Sequence, residues 1–112
     1  MEVDAKIEAD SREPKICEAL QILGTKWAYL VMVELTRGAK RFNQLQRDTV
    51  IKTQSLTDIL RQLEKLGMIR REVFPTVPVT VEYSLTEKGK AFQAVIREMD
   101  KWAEQWVEEK TT

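Results

Sequence analysis

The chain has 112 residues, 43% hydrophobic and 32% charged, with 18 Lys and Arg against 18 Asp and Glu. Histidine is absent, Cys17 is the single cysteine, and the glycines at 24, 38, 67 and 89 are scattered. An internal disulfide is therefore excluded, the usual general base and commonest metal ligand are missing, and no glycine-rich phosphate loop exists, which argues against an enzyme, a metal centre or a bound cofactor.

The length suits one domain with a modest core, of a size that a partner chain would help to cover. No run of 18 apolar residues is present, so no membrane span is expected. The first 14 residues carry Glu2, Asp4, Glu8, Asp10 and Glu13 and do not form a signal peptide, so the expected location is the cytoplasm. The zero net charge hides an uneven distribution. Between Arg37 and Arg71 nine basic residues face three acidic ones, a net of +6, while residues 1–14 and 72–112 each sum to −3. A basic centre between acidic ends suits a localised contact with a polyanion; clustered charge on a solvated surface is the plainer alternative.

Residues 1–14 read as a flexible acidic arm. Ile16, Ala19, Leu20 and Leu23 predict a short helix that stops near Gly24. Thr25 can cap a second helix through Trp27, Leu30, Val31 and Leu35, with Gly38 as its expected C-cap. Arg41-Phe42 is a very short strand or a turn, and a short helix follows through Arg47. Thr53 is the expected N-cap of the next helix, whose Leu56, Ile59, Leu60, Leu63 and Leu66 share one face up to Gly67. Met68 to Val73 and Val79 to Leu85 alternate as strands around FPTVP, whose prolines stay out of the ladder. Thr86 can cap a last helix of about 20 residues, about 30 Å long, bearing Val95, Ile96, Met99, Trp102 and Trp106. Gly89 stands where a capping box would have Glu. Residues 108–112 form a tail.

This order predicts a mainly α fold with a small β hairpin, a winged helix-turn-helix with a long C-terminal dimerisation helix, over residues 15–107. The helix TQSLTDILRQLEKLG is then the recognition helix. Gln54 can pair with adenine, Ser55 and Thr57 can donate or accept, Asp58 can accept from cytosine, and Arg61 can reach guanine or phosphate. Lys40, Arg41, Lys52, Arg70 and Arg71 are candidate phosphate clamps, Thr53 starts the helix, and Thr76 and Thr80 near the wing can touch the minor groove or backbone. Each has a plainer reading: Gln54 and Ser55 as ordinary first-turn residues, Arg61 as an intrahelical partner of Asp58 or Glu64.

The segments ALQILGTKW (19–27), GAKRFNQL (38–45), SLTDILRQLEKLGMIRR (55–71) and FPTVPVTVEYSLTEKGKAF (74–92) resemble, in that order, the HxlR-type transcriptional regulators, relatives of the MarR-type winged-helix proteins. The resemblance covers about residues 15–107. It implies a dimeric bacterial or archaeal DNA-binding protein, with Trp27 in the core, Phe42 packed beside a DNA-facing Arg41, Leu56-Thr57 in the recognition helix, and Glu82 to Thr86 ending the wing. The expected function is a sequence-specific double-stranded DNA-binding transcriptional regulator, with repression favoured, that binds an inverted repeat as a homodimer. Ile16, Leu20, Val95, Met99, Trp102 and Trp106 are the candidate dimer interface; the last three also suit a cap on the monomer's own core. Cys17 is a candidate redox or electrophile sensor, or simply a small buried thiol. The alternatives are a regulator controlled by a small apolar or aromatic ligand, and a winged-helix interaction module without DNA binding, to which zero net charge and the uncharged Ser55 and Thr80 give some standing.

Overall fold

The computed structural model describes residues 14–22 and 24–109. The expected acidic arm therefore lies outside the described residues apart from Pro14, as do Leu23 and the last three residues of the tail. The elements are α1 (Ile16–Ile22), α2 (Lys26–Leu35), β1 (Lys40–Arg41), α3 (Phe42–Thr49), α4 (Thr53–Lys65), β2 (Ile69–Phe74), β3 (Thr80–Leu85) and α5 (Glu87–Trp106). This is a winged helix-turn-helix with a long last helix.

Capping chemistry sets most helix ends. The Thr25 hydroxyl accepts from the Ala28 amide at 3.2 Å and starts α2. The Arg41 amide donates to the Gln44 side chain at 2.9 Å and starts α3. Helix α4 stops on Gly67 at φ +78, where the Gly67 and Met68 amides donate to the Glu64 and Leu63 carbonyls, each at 2.9 Å. That paired closure needs a left-handed residue and so favours glycine. Thr86 caps α5 by accepting from the Gly89 amide at 3.1 Å.

Sequence expectations need correction at four points. Lys52, in extended backbone, is the N-cap of α4, and Thr53 is its first helical residue; the Thr53 hydroxyl is taken by the Gln46 side chain at 2.6 Å. The C-cap of α2 is Thr36, and Gly38 lies beyond it with φ +130. Lys40-Arg41 pairs with β3, opposite Tyr83 and Glu82, so the hairpin is a three-stranded antiparallel sheet in the order β1-β3-β2. Trp27 is 39% exposed with the Lys26 ammonium 4.8 Å from its ring centre, because its turn of α2 faces outward.

The core lies between the helices and one face of the sheet. Val31, Met32 and Leu35 of α2, Leu45 of α3, and Leu56, Leu60 and Leu63 of α4 meet Met68, Ile69 and Leu85, with Ile96 the contribution of α5. Each of these side chains contributes about 1.5–3 kcal/mol by leaving water. The stripe that predicted α4 is the stripe that holds it, so its polar face is turned outward.

Candidate nucleic-acid interface

Residues 49 to 53 form the turn between α3 and α4. Val50 ends α3 in left-handed backbone, φ +59, with its amide donating to the Gln46 carbonyl at 2.8 Å. The Gln46 side-chain amide then crosses the turn to the Thr53 hydroxyl and, at 3.4 Å, to the Ile51 carbonyl. Ile51 is buried beneath. One buried side chain and one bridging amide thus fix the angle at which α4 leaves the core.

On α4, Gln54, Ser55, Asp58 and Arg61 are exposed. Thr57 is half-buried, its hydroxyl donating to the Thr53 carbonyl at 2.9 Å. Gln54 Nε2 donates to Asp58 Oδ1 at 3.2 Å, one helical turn on. Lys52 stands exposed at the N-terminal end. Arg61 and Arg71 flank a cleft of about 490 Å³ between α4 and the sheet, floored by Phe42, Leu60 and Tyr83. Arg70 and Arg71 are both exposed on β2. At the wing, the Thr76 and Thr80 hydroxyls lie 3.1 Å apart, and Thr76 also donates to the Pro78 carbonyl at 2.7 Å. Arg41 is exposed beside Thr80 and Val81 around a shallow hollow.

Lys40 sits differently. Its ammonium is 3.3 Å from Asp48 and 3.7 Å from Glu34, and its side chain is mostly covered. Glu34 Oε1 is itself buried. Lys40 therefore ties α2 to α3 through β1, an arrangement invisible to sequence spacing because the three residues belong to different elements.

Helices α1 and α5 expose a set of apolar side chains. Ile16 and Leu20 of α1 and Val95, Met99, Trp102 and Trp106 of α5 are all exposed, the two tryptophans at 61% and 64%. A groove of about 680 Å³ runs between α1 and α5 over Ile22, Met68, Phe92 and Val95. Cys17 is half-buried on α1. Its neighbour Glu18 pairs with Lys88 of α5, whose ammonium also donates to the Leu66 carbonyl at 2.7 Å. Near the middle of α5, the Tyr29 hydroxyl donates to Asp100 at 3.5 Å. Burial first, and then that carboxylate, push the Tyr29 phenol above its ordinary value of 10.0. Among the described residues no cluster of acidic and cysteine side chains could hold a metal ion.

A family profile described as HxlR-like helix-turn-helix matches residues 22–111. The chain belongs to the HxlR-like family. YodB, an HTH-type transcriptional regulator of Bacillus subtilis (strain 168), is 41% identical over 96 residues, 85% of this chain and 86% of YodB. YvaP of the same organism, an uncharacterized HTH-type transcriptional regulator, is 35% identical over 96 residues, 85% of this chain and 89% of YvaP. The fold superposes on the reduced form of YodB with a TM-score of 0.79 at 39% identity, covering 88% of this chain and 97% of that one. It superposes on the redox regulator HypR in its oxidized form with a TM-score of 0.75 at 34% identity, covering 88% and 100%. YodB is also known in diamide-treated and quinone-bound structures.

As an HxlR-like protein, the chain is a winged helix-turn-helix DNA-binding regulator of transcription. The HxlR-like frame brings Lys52, Gln54, Ser55, Asp58 and Arg61 together on the open face of α4, with Arg71 across the adjoining cleft. Thr76 and Thr80 gather at the wing, and Arg41 stands beside Thr80. Gln46 and Lys88 were missed by sequence reasoning. Each acts by bonding a group seven or more residues away, and neither disturbs the apolar periodicity that located the helices.

Proposed function

We propose that this regulator binds an inverted repeat in double-stranded DNA as a homodimer. Residues 15–107 act as one DNA-binding and dimerising unit, with an acidic arm before it and a short tail after it, and the protein works in the cytoplasm. The observation that carries the reading is the pairing of two faces: a polar α4 end held open by the Gln46–Thr53 bridge, and an uncovered Met99, Trp102 and Trp106 stripe on α5. A helix N-terminal end of that polarity suits base edges, while Arg61, Arg70 and Arg71 suit phosphates. An apolar stripe of that size suits a second copy. Two-fold symmetry would set the two α4 helices about 34 Å apart, one turn of DNA.

Selection of fragments from the source genome by purified protein at about 0.15 M salt tests this. Recovery of one inverted repeat with half-sites about one turn apart supports it. Recovery of nothing above background, with the cysteine reduced and again with it oxidised, favours an interaction module that has the winged fold without DNA binding.

Responsiveness to oxidants or electrophiles through Cys17 is supported by the relatives, since HypR is a redox regulator and YodB has diamide-treated and quinone-bound forms. The position of Cys17 beside the Glu18–Lys88 pair, which reaches the end of α4, gives such a modification a route to the DNA-binding face. With a single cysteine, the modified form is an intersubunit disulfide, a mixed disulfide or an adduct. Complete modification of Cys17 should lower operator affinity; unchanged binding after complete modification overturns the idea.

A further inference from the structure

The first two turns of α4 contain five polar side chains, and three of them are oriented by the protein itself. Thr53 is held by Gln46 and Thr57 by the Thr53 carbonyl. Gln54 is held by Asp58, with Nε2 3.2 Å from Oδ1 and both side chains exposed. An ionised carboxylate only accepts, so the Gln54 amide must turn its NH2 toward Asp58. One N–H is used there. Where that N–H is the one anti to Oε1, the Oε1 acceptor and the second N–H remain side by side.

That remaining pair has the pattern that adenine requires in the major groove, where N7 accepts and the N6 amino group donates. Guanine presents two acceptors, N7 and O6, and would need both amide hydrogens or a turned amide. Asp58 opposes each. We propose that Asp58 is a positioning residue that holds the Gln54 amide in the adenine-reading orientation and so makes the regulator prefer adenine over guanine at one position in each half-site. This rests on α4 being the recognition helix.

A negative charge that neither orients a neighbour nor accepts from a cytosine amino group only weakens binding, because it repels phosphates. The two roles of Asp58 therefore separate in one experiment. The selected operator is varied to all four bases at each half-site position, and binding is compared for the wild type, Gln54→Ala, Asp58→Ala and Asp58→Asn against random DNA at fixed salt. Asp58→Ala should bind random DNA more tightly yet lose about tenfold of adenine preference at one position, and Gln54→Ala should lose the same preference at the same position. Asp58→Asn removes the charge but keeps an acceptor, so it should share the tighter random binding and retain most of the preference. Thermal unfolding should be little changed in all three, since the side chains are exposed.

An adenine preference that survives Asp58→Ala or Gln54→Ala overturns the proposal. So does an Asp58→Asn profile that matches Asp58→Ala, which would show that charge alone acts. A wild type that selects no sequence in either redox state overturns the recognition-helix reading first, and this proposal with it.

Discussion

Gly89→Ala should destabilise the protein, although Ala ordinarily favours a helix. A Cβ placed on Gly89 would lie 2.2 Å from the Met68 carbonyl oxygen and 3.2 Å from both the Met68 carbonyl carbon and Leu85 Cδ2. Relief needs about 1 Å of movement between α5 and the start of β2, since such a contact settles at about 3.3 Å. The oxygen is not free to yield. It accepts from the Thr86 amide at 3.1 Å, a bond that seats the α5 N-cap, while the Thr86 hydroxyl, also 3.1 Å away, has its closer acceptor in the Gly67 carbonyl at 2.5 Å. Overpacking costs about 1–3 kcal/mol, and loss of the amide bond adds about 1 kcal/mol. The helical gain from Ala is at most about 1 kcal/mol. The net loss is about 2 kcal/mol, or about 8–16 °C in Tm for a domain of this size. Thermal unfolding followed by far-UV circular dichroism at fixed protomer concentration measures it, because dimerisation makes Tm concentration-dependent. A Tm at or above the wild type would refute the packing argument. The same contact explains why the α5 N-terminus has no capping-box Glu: at position 89 a side chain would meet the Met68 carbonyl just before β2.

Val50→Gly should stabilise by about 0.5–1 kcal/mol. The residue is β-branched at φ +59 and 82% exposed, so nothing packed is lost, and relief of about 1–2 kcal/mol exceeds the entropic cost of glycine; urea unfolding with a lowered midpoint would contradict this. Replacing Trp102 and Trp106 together by Ser should weaken the dimer by about 4 kcal/mol, about a thousandfold in Kd, while leaving the protomer's circular dichroism intact; sedimentation shows which. Lys40→Met should lower stability by about 1–3 kcal/mol, because the buried Glu34 Oε1 then keeps only the exposed Arg37 at 3.9 Å as a cation, and should leave the salt dependence of DNA binding unchanged. Arg70→Ala should do the reverse, with a salt slope smaller by about 1 and an unchanged Tm. For Tyr29 the folded state holds the phenolic proton more tightly than the unfolded chain does. Its contribution is therefore present below pH 10.0 and is lost as pH rises through the higher folded value. The stability difference between wild type and Tyr29→Phe should shrink on titration above pH 10.0. A difference that stays constant there shows that neither burial nor the contact with Asp100 shifts the phenol's proton balance.

Periodicity located α4, α5 and the wing because each is long enough for its apolar spacing to show, and Thr25 and Thr86 announced two helix starts by their cap chemistry. The candidate interface residues of α4 were legible as a polar face, the complement of Leu56, Leu60 and Leu63. What escaped depends on partners distant in the chain. Two residues of β1 carry no alternation, and only β3 makes them a strand. Lys40 looked like any basic residue of the central cluster until α2 and α3 supplied Glu34 and Asp48. Thr53 has the chemistry of a cap, yet Gln46 takes its hydroxyl and the helix begins one residue earlier.

The pairing of Lys40 with Tyr83 and of Arg41 with Glu82 has a consequence for how such a regulator can diverge. Arg41 is also the N-cap of α3, so the wing is stitched to the helix-turn-helix at the residue where the latter begins. In the proposed complex the wing and α4 would then meet a half-site as a single head, with their separation set by this pairing. In the proposed dimer the distance between half-sites is set instead by α5. The two properties are then separately heritable: substitutions on α4 change which bases are chosen, and substitutions along the Met99, Trp102 and Trp106 stripe change the spacing of operators that can be served, with neither altering the other.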